Sequence, residues 1–142
     1  MRGGRVVTYQ DSTTKAYERA LAVYVRQYAP KRPISGPVSI RACFVHSRPK
    51  RLMQKTIKGE PVPPGLMYKQ TAPDLDNCFK ALADGLQIAG FFNNDAQVCA
   101  IGAFDYYAER DAEARIVVAI SELGPGAVQQ LTPSGDPGAR DP

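Results

Sequence analysis

Residues 73–98 read PDLDNCFKALADGLQIAGFFNNDAQV. Pro73 pushes Ala72 into an extended conformation, so Asp74 and Leu75 end a short strand or turn. Asp76 then suits the N-cap of a helix running from Asn77 to about Ala89, with Gly90 closing it. Phe79, Leu82, Ala83 and Leu86 recur at helical spacing and make the face such a helix buries. Asp76, Lys80, Asp84 and Gln87 fall together on another face, three or four residues apart. Phe91 and Phe92 plug the far end, and Asn93-Asn94 turn the chain before Asp95.

The same stretch carries chemistry. Asp74 and Asp76 are two apart, so in an extended segment their carboxylates share a side. Cleaving a phosphodiester needs an activated water, a stabilised leaving oxygen and compensation of charge on phosphorus. Paired Mg²⁺ ions supply all three, and a few carboxylates hold them because Mg²⁺ is hard and keeps some of its water. Asp95 is the third acid of the set, and the chain must fold back for it to join the others. A helix over 77–89 is about 20 Å long. The turn after it must therefore reverse the chain and bring residues 95–98 beside the strand at 38–45. Lys80, one turn from Asp76, suits neutralisation of the attacked phosphate or developing oxyanion. A plain helix salt bridge with Asp76 or Asp84 is its other reading. Asp84, two turns from Asp76, acts only from behind. Gln97 is either a contact to water or DNA or a polar surface residue. An Asp-x-Asp pair also serves glycosyltransferases, whose nucleotide-binding fold needs a much longer chain.

Upstream, residues 47–72 hold four prolines and two glycines, which excludes a long helix or a central strand. From Arg41 to Lys69 there are seven Lys or Arg and one acidic residue, Glu60. This is either a solvated loop or a mobile basic arm tracking phosphates toward the acids; its position just before PDLDN favours the arm. Val38 to Val45 alternates apolar and polar residues, as a strand with one wet face does. His46 ends it and is the sole histidine, without partners of its own kind for a metal. Ser12 or Thr13 caps a helix from about Thr14 to Tyr28 with an apolar stripe of Tyr17, Leu21, Val25 and Tyr28. Lys15, Arg19 and Arg26 lie off that stripe, facing solvent or phosphate. Val6 and Val7 begin a short extended piece.

Downstream, Val98–Tyr107 and Ala114–Ser121 alternate, and residues 108–113 between them suit a hairpin loop. From Gly124 the chain has eight Gly or Pro in 19 residues, which predicts a disordered tail. The expected organisation is a single α+β domain over 1–123 and a tail over 124–142. It is a small two-layer domain whose mixed or antiparallel sheet carries helices on one face.

Composition agrees. The chain has 142 residues, a net charge of +4 and 44% hydrophobic residues. One core fits that length, and the charge is compatible with a polyanionic partner. Cys43, Cys78 and Cys99 form no CxxC, so buried free thiols in a reducing cytoplasm are expected rather than disulfides or zinc. No apolar run suggests a signal peptide or a membrane span.

DLDN at 74–77, Lys80, Asp84 and DAQV at 95–98 resemble the signature of RusA-type Holliday-junction resolvases, small endonucleases common in prophages. Both ends are distinctive and the spacing between them is kept. Weaker similarity runs from about residue 8 to 122. The resemblance implies a cytoplasmic homodimer acting in DNA recombination and repair, which binds four-way junctions and makes paired nicks. It implies Mg²⁺, two per active site, with Mn²⁺ able to substitute. Asp74, Asp76 and Asp95 match the family's metal-binding aspartates, and Lys80 its catalytic lysine. Arg48, Lys50, Arg51, Lys55, Lys58, Lys69, Arg19 and Arg26 are the expected DNA contacts. A two-fold dimer suits symmetric nicks. Three places depart from the pattern. About a dozen residues precede the first helix, which predicts a sheet short of an edge strand or a longer natural N-terminus. Asn94 replaces the first of two adjacent acids, and Phe104-Asp105 stands where a basic residue is common. A non-catalytic junction-binding protein and a less selective nuclease of the same fold are the alternatives.

Overall fold

The computed structural model describes the backbone of residues 5–9 and, with side chains, residues 21–124. The predicted start of the first helix, with Lys15, Tyr17 and Arg19, and the predicted tail beyond Gly124 lie outside the described residues. A five-stranded sheet is ordered β1-β7-β2-β6-β5, with β1 Arg5–Tyr9, β2 Val38–His46, β5 Met67–Tyr68, β6 Val98–Tyr107 and β7 Arg115–Glu122. β2 and β6 are parallel, and every other pairing is antiparallel. The architecture is the expected mixed-sheet α+β fold.

The helical layer lies on one face. It consists of α1, described over residues 21–26, and α2, Leu75–Ile88. Strand alternation puts Val38, Ile40, Ala42 and Phe44 of β2 and Ile116, Val118 and Ile120 of β7 toward that layer, and all are buried. Leu21 and Val25 of α1, and Cys78, Leu82 and Leu86 of α2, complete the core. Cys78 is buried with them, whereas Phe79 and Ala83, placed on the buried face from sequence, are only partly buried. The other two thiols are not buried: Cys43 is partly accessible and Cys99 exposed, and all three are free. Phe44 is fully buried at the centre, and its truncation to Ala is expected to cost about 3–5 kcal/mol.

Gly90 ends α2 as expected. With φ at +95° it takes the left-handed conformation, and Gly90 N–H donates to the Gln87 carbonyl while Phe91 N–H donates to that of Leu86. These are the two bonds of a Schellman stop. Phe91 and Phe92 then turn inward, and the chain docks against Ile34 just before β2. Asn94 and Gln97 build a capping box around the short 3₁₀ turn Asp95–Gln97. The Gln97 amide nitrogen donates to the carbonyls of Ile34 (2.7 Å) and Gly36 (3.0 Å). Gln97 is therefore a structural clamp that sets Val98 opposite Val38, the strand pairing foreseen from chain reversal.

Three expectations are corrected. β6 and β7 form no hairpin, because β2 lies between them and residues 108–114 pass across its end. The sheet does not lack its edge strand: Arg5–Tyr9 pairs along β7. Helix α2 starts two residues early, with Asp74 rather than Asp76 at the N-cap. In the basic loop, β3 Thr56–Ile57 and β4 Glu60–Pro61 form a small hairpin. Lys58 (φ 51°) and Gly59 (φ 82°) make its two-residue turn, whose positive φ at both positions matches the right-handed twist of the strands.

Candidate active site

Asp74 ends the loop that follows β5, and Asp76 lies in the first turn of α2. Both are exposed. The Asp74 carboxylate makes no capping hydrogen bond, and one Asp76 oxygen accepts from Asn77 N–H at 3.0 Å. Two carboxylates at the N-terminus of a helix are stabilised by its unpaired N–H groups. The pair therefore needs no neighbouring cation to hold it there, and its oxygens remain available.

The loop carrying Asp74 is pinned from inside. Lys69 is buried along its side chain, and its Nζ donates to the carbonyls of Thr71 and Pro73, the latter at 2.9 Å. Asp105 lies 3.6 Å from the same ammonium and is itself buried. Its other oxygen receives a hydrogen bond from His46 Nε2 at 2.8 Å. Lys69 N–H donates to the Asp105 carbonyl, and the Thr71 hydroxyl meets that of Tyr107 at 2.7 Å. Burial pushes the His46 imidazole below its ordinary value of 6.5; Asp105 pulls it up and Lys69 down. A neutral imidazole donating to a carboxylate already paired with Lys69 leaves this group of three electrically balanced. Burial likewise pushes the Cys78 thiol up, with the Asp105 carboxylate adding to it, so the thiol stays protonated.

A cleft of about 420 Å³ opens beside Asp74, walled by Tyr68, Lys69, Leu75, Phe104 and Asp105. Lys80 is exposed one turn along α2 and shares a groove between α1 and α2 with Asn77 and Asp84. Among the described residues no salt bridge joins it to Asp76 or Asp84.

Asp95 is elsewhere. It precedes the first residue of β6, whereas the cleft holding Asp74 is at Phe104 and Asp105, near the strand's other end. Seven residue steps along β6 separate Val98 from Asp105, a span of roughly 20 Å. The chain reverses after α2 as expected, yet the reversal leaves Asp95 at the C-terminal end of the helix and Asp74 and Asp76 at its N-terminal end. Among the described residues no three His, Cys, Asp or Glu side chains are placed to hold one metal ion. Asp74 and Asp76 thus lie together and Asp95 apart from them, so the three carboxylates expected from sequence do not converge within one chain.

Of the expected DNA contacts, Lys50, Arg51, Lys55 and Lys58 are exposed on the loop and Arg26 is exposed on α1. Arg48 and Lys69 are turned inward. Arg48 spends its guanidinium on the carbonyls of Ala108, Leu52, Pro63 and Gly65, at 2.6–2.9 Å. Counted with the phosphate contacts from sequence, it is instead the brace of the basic loop, since five donors in a fixed fork suit clustered carbonyls. Lys69 is the brace of the Asp74 loop. The His46–Asp105 pair went unread. Its signals were one acid at an inward position of an otherwise apolar strand and one histidine at the matching end of β2.

The chain matches the family described as endodeoxyribonuclease RusA over residues 1–121. It is also 29% identical over 123 residues to a Bacillus subtilis (strain 168) protein described as uncharacterized protein YqaN, a match covering 87% of this chain and 84% of that one. The DLDN, Lys80 and DAQV positions fall inside the matched span, together with β1 and the cleft. No helix among the described residues is long and apolar enough to cross a membrane. A match over so much of the chain establishes that it belongs to the RusA endodeoxyribonuclease family.

Proposed function

We propose that this protein is a Mg²⁺-dependent endonuclease that resolves four-way DNA junctions as a homodimer, by paired nicks, in recombination and repair in the cytoplasm. The observation that carries the proposal is the exposed pair Asp74 and Asp76 at the N-terminus of α2, with Asp74 lining a cleft and its loop held by the buried Lys69 brace. Membership of an endodeoxyribonuclease family supplies the reaction class.

Asp74 and Asp76 would hold the metal from one protomer. The third expected ligand, Asp95, lies on the same chain near the opposite end of α2, a helix about 20 Å long. A two-fold axis resolves the mismatch. When two copies pack with these ends opposed, Asp95 of the partner subunit meets Asp74 and Asp76, and the operation creates two equal sites. Bound there, Mg²⁺, or Mn²⁺ in its place, supplies an activated water and charge compensation at the leaving oxygen. Lys80 adds a fixed positive charge one turn from Asp76. Lys50, Arg51, Lys55, Lys58 and Arg26 hold flanking phosphates. Arg19 joins them from the sequence pattern alone.

The test is cleavage of a synthetic four-way junction with Mg²⁺ and with EDTA. Asp76→Asn should abolish cutting and leave binding; equal cutting by the variant sinks the assignment. The incomplete carboxylate set of one protomer motivates a second reading, a structure-specific DNA-binding protein without catalysis. It predicts tight, salt-sensitive junction binding with no metal-dependent nicking. Comparing linear duplex, flap and junction rates separates a less selective nuclease from both.

A further inference from the structure

The family match and the carboxylates do not account for the aromatic wall of the cleft. Tyr68, Tyr106 and Phe104 form a continuous ladder across β5 and β6. The Tyr68 and Tyr106 rings stack at 5.3 Å between centroids, and Phe104 and Tyr106 lie within 4° of parallel at 6.2 Å. Both ends of the ladder are open: Tyr68 is 71% exposed and Phe104 38%. Contiguous exposed aromatic surface marks interaction sites. Tyr68 and Phe104, the two ends of the ladder, also line one cleft with Asp74 and Leu75.

We propose that this cleft takes an unpaired nucleobase of the DNA substrate, stacked against Tyr68 and Phe104 next to the carboxylates. The identification rests on the reading of the chain as a DNA nuclease. Lys69, the cation on the cleft wall, is already engaged by Asp105 and by the carbonyls of Thr71 and Pro73, so the wall itself suits a neutral flat ring better than a second phosphate. A volume near 420 Å³ is within the range of small-ligand sites. Phosphates have their own cation on the same side of the sheet. Phe104 and Gly102 project to one face, and the Arg41 side chain lies across Gly102, 3.6 Å from where a Cβ would be. Base stacking on an aromatic platform beside a cation on the backbone's path is how sequence-tolerant single-strand sites are built. A branch point supplies the ligand, since strands that exchange there leave bases easier to unstack than those within a duplex.

The chain contains no tryptophan, so Tyr68→Trp places a lone reporter at the platform. Its fluorescence is titrated, in EDTA, with oligothymidylate, with an abasic oligonucleotide of equal length and with a blunt duplex. Oligothymidylate should quench it and bind about tenfold more tightly than the abasic strand. In the otherwise native chain, Tyr68→Leu and Phe104→Leu should each weaken oligothymidylate about tenfold and leave abasic binding unchanged. Equal binding of the two strands, or no quenching, overturns the proposal. So does a change in sedimentation of the Leu variants, which would make the ladder a subunit contact. Junction cleavage by the unaltered protein is followed alongside. Cleavage without base-dependent quenching sinks this site alone, and quenching without cleavage sinks the nuclease reading and keeps the site.

Discussion

His46 and Asp105 are 59 positions apart in the chain and 2.8 Å apart in the fold. Parallel pairing of β2 with β6 sets the His46 end of one strand beside Asp105 of the other. Lys69 closes the group from β5's side, 3.6 Å from the second carboxylate oxygen. The three therefore tie the sheet to the loop that presents Asp74. Asp105→Asn leaves the Lys69 ammonium buried without its counter-charge, at an expected cost of about 3 kcal/mol in urea unfolding. Removing both charges, in Asp105→Asn with Lys69→Met, should cost clearly less than the sum of the single changes. An additive result would mean that the pair is not coupled.

The pH dependence of stability follows from His46. Its folded pKa lies below the ordinary 6.5, chiefly through burial, so the folded protein favours the neutral ring. The sign is that of a depressed group. This stabilisation is complete above about 6.5 and is lost as the pH falls from there through the lower folded value. Thermal unfolding between pH about 8 and about 5 should show that loss. His46→Gln, which keeps an N–H donor for Asp105, should remove that part of the slope. In an NMR titration of this sole histidine, Asp105→Asn should move its pKa further down and Lys69→Met should move it up. Either shift in the opposite sense refutes the electrostatic assignment.

Salt dependence separates the two kinds of cation in the basic loop. Lys55 and Lys58 are exposed, whereas Arg48 is buried against four carbonyls. Lys58→Ala should lower the slope of log affinity for DNA against log salt by about 0.9. Arg48→Lys should leave the slope unchanged. It should instead cost about 2 kcal/mol of stability, because lysine cannot fork across the carbonyls, and speed proteolysis of the loop. A salt slope altered by Arg48→Lys would return that residue to the phosphate contacts.

The elements were legible because their signals are local. Period-two alternation located β2, β6 and β7, and Gly90 marked the end of α2 through a φ that other residues avoid. Strand order was not local: nothing in residues 108–113 says that β2 has inserted between the strands they join. Arg48 and Lys69 were misread for a related reason. A cation in a proline-rich loop looks solvated until folding brings stranded carbonyls within its reach. Asn94 and Gln97 carried a local signal that went unread: their three-residue spacing is a capping signature, whereas Gln97 was expected to contact water or DNA or to lie at the surface. For the carboxylates, sequence spacing gave their number and left their assembly open, although a helix of about 20 Å between them already posed the difficulty.

That difficulty yields a test of the dimer. In a site shared between protomers, each centre uses Asp74 and Asp76 of one chain and Asp95 of the other. Homodimers of Asp76→Asn and of Asp95→Asn should both be inactive. When the two variants are mixed and exchange subunits, a heterodimer carries both lesions in one centre and an intact set in the other. The mixture should regain single nicking of a four-way junction with Mg²⁺, while paired cuts stay absent. If all three aspartates served one centre within a chain, each centre of the heterodimer would carry one lesion and the mixture would remain dead. Nicking that returns on mixing, and only after subunit exchange, is therefore the outcome that joins the separated aspartates through a two-fold axis.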